Sequence, residues 1–331
     1  SQVLHLYEKE RILGILPLFH SVGYLVFWLV MFNNAGLVFH PCPLDAAAIG
    51  ELVRRYRVTF LVTTPTFLQL YLKRCTPEQF SSLRVILTGA EKLPARLAQA
   101  VEDKFGIGPI EGYGVTECAP VIAVNCPDYR APGYYQPGSR RGTVGQPLPG
   151  VSVQIVDPDT FAPAPDGTAG LLLVRGPNVM KGYLGRDDLT AEALRDGWYV
   201  TGDLALLDDD GFLTITDRLS RFSKIGGEMV PHGKVEEALH QAAGLDTQSF
   251  AVTGIPDSKK GEQLVVLHTV DEEKIPAILA KLAAEGLPNL FVPARGNCLK
   301  VDALPVLGTG KMDLRSLKLI AMERLQGSAK S

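Results

Sequence analysis

The sequence has 331 residues, 46% of them hydrophobic and 21% charged, with a net charge of -3, a pI near 6.1 and a mean hydropathy of +0.10. That length exceeds what one hydrophobic core usually supports, so two domains are expected, and the composition excludes a disordered chain. The near-neutral charge excludes a global attraction to nucleic acid or anionic lipid, so any anion site must be local.

Short apolar runs alternate with helical patterns over the first third of the chain. Strand-like ILGIL leads to a helix over 22–32, strand-like GLVFH follows, and Asp45 is placed to cap the next helix. VTFLV, a segment starting at Pro65, RVILT, and a helix over 94–105 that stops at Gly106 continue the series. Repeated βαβ of this kind predicts a mostly parallel sheet with flanking helices. The charge-free stretch 12–44 is broken by Pro17, His20, Gly23 and Asn33-Asn34-Ala35-Gly36. The apolar run that remains, 22–32, is too short to cross a bilayer, so no transmembrane segment is expected.

Prolines and glycines interrupt the pattern over 126–150, which marks a subdomain boundary between 1–135 (α/β) and 140–217 (β-rich). In the second part VSVQIV, GLLLVRG and GFLTIT are separated by Asp166-Gly167 and Asp210-Gly211, which predicts an antiparallel, β-barrel-like subdomain. Helical patterns near 235–243, 274–285 and 313–325 predict a small C-terminal α+β domain over 222–331. The fold class expected is thus α/β plus α+β. The five cysteines are scattered without CxxC spacing, which fits reduced thiols and a cytoplasmic compartment.

Three segments carry chemistry. GPIEGYG runs into Tyr113-Gly114-Val115-Thr116-Glu117, which sets an aromatic, a hydroxyl and a carboxylate past the carboxyl end of a strand, where open α/β sheets bind ligands. An aromatic can stack on a base, a hydroxyl can donate to phosphate, and a carboxylate can hold magnesium, although a capped strand-helix turn has the same residues. Trp198-Tyr199-Val200-Thr201-Gly202-Asp203 is followed by Asp217-Arg218. An ionised Asp can accept from two vicinal ribose hydroxyls and Arg can bridge to phosphate, yet an Asp after Gly is also an ordinary turn former. Lys311 closes PVLGTGK, where it is either a mobile cationic arm or a solvated surface charge.

In series, PLFHSVG, TGAEKL, EGYGVTE, GPNVMKGYL, WYVTGD, DR and LGTGK resemble the motifs of the acyl-adenylate-forming ligases, the acyl-CoA synthetase and luciferase-like superfamily. EGYGVTECAP, GGEMV, the stretch over 258–262 and LPVLGTGKMD are most similar to the acyl-ACP synthetase half of bifunctional 2-acylglycerophosphoethanolamine acyltransferase. The resemblance implies a fatty-acid-like substrate, ATP with Mg2+, an acyl-AMP intermediate, and thioester formation on the phosphopantetheine of ACP or CoA. It implies that Gly89, Ala90, Glu91 and Tyr113 flank adenine, that Thr116 meets the α-phosphate, and that Glu117 serves the metal. Asp203 and Arg218 would hold the ribose and Lys311 would act in adenylation. His20, Gly226 and Gly227 would line the acyl and pantetheine path.

Two departures qualify the match. The family's hinge pattern is roughly Arg-x-Lys-Asp, whereas Arg218 is followed here by Leu219, Ser220 and Arg221, so the hinge is placed at 218–221 with Arg221 as its residue. No Ser/Thr/Gly-rich lysine loop for the β- and γ-phosphates precedes PLFHSVG, and the chain opens on Ser1. An N-terminally truncated chain, inactive alone, is therefore expected, within a parent protein associated with the inner face of the membrane through other parts. The alternatives are a non-catalytic acyl or nucleotide-binding module and an amino-acid adenylation domain.

Overall fold

The computed structural model describes residues 3–245, 247–257, 259–284, 286–306 and 312–328. The chain divides into two compact units, Ser1–Thr216 and Asp217–Ser331.

The first unit begins with β1 (Arg11–Gly14), α1 (Ser21–Phe32), β2 (Gly36–Phe39), α2 (Ala46–Tyr56), β3 (Phe60–Thr63), α3 (Pro65–Arg74) and α4 (Pro77–Phe80). It continues with β4 (Val85–Thr88), α5 (Ala95–Phe105), β5 (Ile110–Gly114) and β6 (Val121–Val124). Local chemistry sets the boundaries. Asp45 accepts from the Ala48 amide at the start of α2, Thr64 caps α3 with Pro65 in its first turn, and Gly106 ends α5 in the left-handed region. The sheet order is β2-β1-β3-β4-β5-β6, closed at one edge by β9 (Gln146–Pro147). Its first five strands are parallel; β6 and β9 run antiparallel.

Both faces of this sheet are covered, which is why its strands read as continuous apolar runs. Leu61 and Ile86 pack with Ile49, Val53, Leu68 and Tyr71 under α2 and α3. On the other face Phe60, Val62 and Val85 pack with Val26 and Val30 of α1. That helix carries no charge, and its outer residues Tyr24, Trp28, Met31 and Phe32 are exposed.

Between β6 and β9 the proline-rich stretch forms a small hairpin, β7 (Tyr129–Ala131) with β8 (Tyr134–Gln136). Sequence patterning shows only a break there, because strands of three residues are too short for an alternation to register. Beyond it lie β10 (Ser152–Val156), β11 (Gly170–Arg175), α6 (Asp187–Ala193), β12 (Leu194–Arg195), β13 (Trp198–Leu207) and β14 (Leu213–Arg218). They form an antiparallel sheet in the order β10-β11-β13-β12, with β14 also on β13. Leu172, Val174, Tyr199 and Leu213 of this sheet share a core with Cys118, Ile122 and Ala123, so it packs on the edge of the parallel sheet where β6 reverses direction.

The second unit contains β15 (Phe222–Ile225), β16 (Glu228–Pro231), α7 (His232–Ala243), β17 (Phe250–Asp257), β18 (Gly261–His268), α8 (Ile275–Ala284), β19 (Cys298–Lys300) and α9 (Leu314–Ser328). Its sheet runs β16-β15-β18-β17, with β19 parallel on β18. Strand alternation divides the core. Phe250 and Val252 face α7 and α8, whereas Ala251 and Leu267 face Leu317 of α9. No helix among the described residues is long and apolar enough to cross a membrane.

A buried polar cluster ties the start of this unit to α7. Asp217 accepts from the Arg218 and Gly233 amides at 2.8 and 3.0 Å. The Arg221 guanidinium lies 2.6 Å from Glu236 as a charge pair, and Glu236 also accepts from the Val252 amide at 2.8 Å. Ser223 and His232, both buried, are joined at 2.8 Å. Burial, then the charges of Arg221 and Lys318, depress the His232 pKa to about 3. A histidine depressed in the fold favours the neutral form, so its contribution is complete above the unfolded value near 6.5 and is lost as pH falls from there towards 3. Each pH unit in that window costs about 1.4 kcal/mol. Urea unfolding of the second unit should therefore lose about 2 kcal/mol more in the native protein than in His232→Gln between pH 6.5 and 5. Parallel pH profiles for the two would show that this histidine is not held neutral.

Candidate functional site

The parallel strands are in register, so the segments that follow β1, β4 and β5 all leave the sheet at its carboxyl edge. After β1 the chain reaches His20, whose Nδ1 accepts from the Val22 amide at 3.3 Å and caps α1. After β4 come Gly89, Ala90 and Glu91. Gly89 packs against the Gly112 carbonyl, 3.2 Å from where a Cβ would sit, and Ala90 has a left-handed φ of 71°. Glu91 accepts from the Thr66 hydroxyl at 2.7 Å and from its amide at 3.3 Å, so this carboxylate serves the N-terminus of α3.

After β5 the chain forms a single 3-10 turn, Thr116–Cys118. The exposed Thr116 hydroxyl lies 3.3 Å from that of Ser21, which brings the first and third segments together. Ser21 carries no separate signal in the sequence beyond its place in PLFHSVG. Glu117 is partly buried and fixed twice. Its carbonyl accepts from the Met180 amide at 2.7 Å, and its Oε1 accepts from the Tyr183 hydroxyl at 2.8 Å. Burial and the Glu117 charge push the Tyr183 hydroxyl up, and the buried Tyr199 hydroxyl backs it in turn. Tyr183 and Asn178, whose amide donates to the Cys118 and Val121 carbonyls at 2.9 and 3.1 Å, are site residues that the sequence reading did not single out. The signal available was their shared motif, GPNVMKGYL.

Tyr113 and Asp203 meet. The Tyr113 hydroxyl donates to Asp203 Oδ2, and Asp203 is only 2% exposed. Thr201 supports it, accepting from the Asp203 amide at 3.0 Å while donating to the Leu172 carbonyl at 2.8 Å. A ligand that takes up Oδ2 would replace the Tyr113 hydroxyl there.

A narrow apolar cleft that encloses only about 10 Å³ lies beside α1, between Gly14, Leu16, Gly23, Phe27, Phe39 and Val62. No group of three or more His, Cys, Asp or Glu side chains suited to a metal occurs among the described residues. A lone carboxylate such as Glu117 fits magnesium all the same, because that ion commonly takes one or two carboxylates with phosphate and water as its other ligands.

The remaining predicted residues lie in the second unit or outside the description. Arg218 is exposed, and Arg221 is held in the cluster with Glu236. Gly226 and Gly227 form the turn between β15 and β16 with φ of 60° and 91°, and nothing lies within 4 Å of a Cβ added to either. Lys311 falls outside the described residues.

A family model for AMP-binding enzymes matches residues 1–184. The chain belongs to the AMP-binding enzyme family. This member is 34% identical over 314 residues to a feruloyl-CoA synthase of an Amycolatopsis species, covering 92% of this chain and 60% of that protein. It is 33% identical over 328 residues to a long-chain-fatty-acid–CoA ligase of Salmonella typhimurium, covering 97% and 56%. Among solved structures, ATP-bound MatB from Rhodopseudomonas palustris superposes with a TM-score of 0.83 at 26% identity, over 98% of this chain and 62% of that one. The o-succinylbenzoate CoA synthetase MenE of Bacillus subtilis, in complex with its acyl-adenylate, gives 0.79 at 26% identity over 95% and 62%. This AMP-binding family chain thus spans about 60% of the length of the first curated relatives it matches.

Burial, then the Glu117 charge, push Cys118 up to about 12, and burial pushes Cys75 up to about 11. Cys42 alone of the five is exposed. A thiol reagent at pH 8 should modify Cys42 first and leave Cys75 and Cys118 intact until the chain unfolds. Early loss of Cys118 in peptide mapping would show that the turn beside Glu117 opens in the native state.

Proposed function

We propose that this chain provides the nucleotide and acyl sites of a ligase that activates a carboxylic acid as acyl-AMP and then transfers it to a thiol. The observation that carries this reading is that, within the first unit, Thr116 meets Ser21 of PLFHSVG, the adjoining Glu117 meets Tyr183 of GPNVMKGYL, and Tyr113 meets Asp203 of WYVTGD. In the proposal Thr116 donates to an α-phosphate oxygen and Asp203 accepts from ribose hydroxyls. The segment Gly89, Ala90 and Glu91 borders adenine together with Tyr113. Glu117 would hold magnesium, which would neutralise phosphate charge.

In the second unit, Arg218 would bridge ribose and phosphate, and Lys311 would supply a cation where carboxylate and α-phosphate approach. Gly226 and Gly227 would give the pantetheine arm room beside the backbone, with His20 at the acyl end of the path. We place the hinge at 218–221. Because Arg221 is paired with Glu236 inside the second unit, it would travel with that unit.

For the substrate we propose an aliphatic, fatty-acid-like acid, since the cleft beside α1 is lined by apolar side chains and glycines. An α-amine would find no counter-charge there, which favours this over an amino-acid substrate. The acceptor would be CoA or the phosphopantetheine of ACP. The CoA ligases among the relatives favour the first, and the GGEMV and LPVLGTGKMD motifs favour the second.

The 331 residues hold no Ser/Thr/Gly-rich lysine loop before PLFHSVG. Losing two hydrogen bonds to phosphate oxygens costs about 3 to 6 kcal/mol, or about two to four decades in affinity. Calorimetric titration of this chain should accordingly show a non-hydrolysable acyl-AMP analogue bound far more tightly than ATP, and no acyl-AMP made from ATP and fatty acid. Failure to bind any acyl-AMP analogue would remove the proposed site.

A further inference from the structure

We infer that Tyr183 is a positioning residue for Glu117, holding the carboxylate in the orientation that a phosphate-bound magnesium ion needs. The inference rests on the assignment of Glu117 proposed above and adds a residue to it. Glu117 sits on a turn of only three residues, and its side chain is partly exposed, so the turn alone leaves several rotamers open. Tyr183 removes that freedom. Its hydroxyl reaches Oε1 at 2.8 Å from 66 residues away in the sequence.

The support behind Tyr183 is itself fixed. Its amide donates to the Thr190 hydroxyl on α6 at 2.9 Å, and the Thr190 hydroxyl donates to the Arg186 carbonyl at 2.9 Å. The residue before it is Gly182, with φ of 152°, where an added Cβ would come within 2.7 Å of Thr190. A side chain at 182 would push Tyr183 off its anchor. Met180, three residues earlier, bonds the Glu117 carbonyl from its amide. One short segment therefore grips both the backbone and the carboxylate of Glu117. A hydrogen bond to a ligating carboxylate is the sort of outer contact whose loss lowers metal affinity or activity by about ten- to a hundredfold.

The role is separable from plain support of the fold, because it acts only when a metal and its phosphates are present. Manganese will serve as the probe, with Mn2+·AMP binding to the 331-residue chain followed by water-proton relaxation and metal-free AMP binding followed by calorimetry. Tyr183→Phe should weaken Mn2+·AMP about tenfold or more, change metal-free AMP binding less than twofold, and add nothing when Glu117 is already Gln. Equal losses for both ligands, or an undiminished loss in the Glu117→Gln background, would show that Tyr183 acts otherwise and overturn the inference. No change in Tyr183→Phe while Glu117→Gln weakens Mn2+·AMP would overturn it and spare the Glu117 assignment. No change in either variant, or no Mn2+·AMP binding by the native chain, would overturn both.

Discussion

The site depends on the grip that residues 176–183 exert on the turn after β5. That turn is where the parallel sheet ends and β6 reverses, so its carbonyls and side chains are not fixed by a further parallel neighbour. Met180 and Asn178 supply the missing donors, meeting the carbonyls of Glu117, Cys118 and Val121. These are backbone groups of a partly buried turn, and leaving them unpaired would cost about 1 to 3 kcal/mol each. Val179 and Met180 also pack against the core that holds Cys118 and Ile122, so the same two segments are joined by packing as well. The antiparallel sheet therefore does more than add bulk to the first unit, since it sets where Thr116 and Glu117 stand.

A second constraint concerns Asp203. A carboxylate with 2% exposure needs close partners, because burying an ionised group alone is costly. Tyr113 is one such partner, and Thr201 fixes the backbone beneath. The same pairing occupies one of its two oxygens. A ribose that takes up the carboxylate must replace what the Tyr113 hydroxyl gives, and two vicinal hydroxyls are chemically suited to do so. The arrangement accounts for an aromatic and an acid set 90 residues apart in the sequence meeting at one point.

Much of the fold was legible in the sequence, for reasons that are local. Asp45, Pro65 and Gly106 mark helix ends by capping chemistry, and the apolar runs at Phe60–Thr63 and Val85–Thr88 mark strands covered on both faces. What was not legible depends on distance. Tyr183 lies in a visible motif, but its partner is fixed only once the antiparallel sheet packs against β6. Arg221 reads as a hinge residue from its place after Asp217-Arg218, whereas its pairing with Glu236 follows from how α7 lies against β15. The meeting of Ser21 with Thr116 likewise needs the register of the whole parallel sheet.

The most direct measurement is a crystal structure of this chain with a non-hydrolysable acyl-AMP analogue. The account places the ribose hydroxyls on Asp203 with Tyr113 displaced from it, and the phosphate mimic beside Thr116. Density for the analogue elsewhere, or at this edge with Tyr113 still bonded to Asp203 and the ribose out of reach, would contradict it.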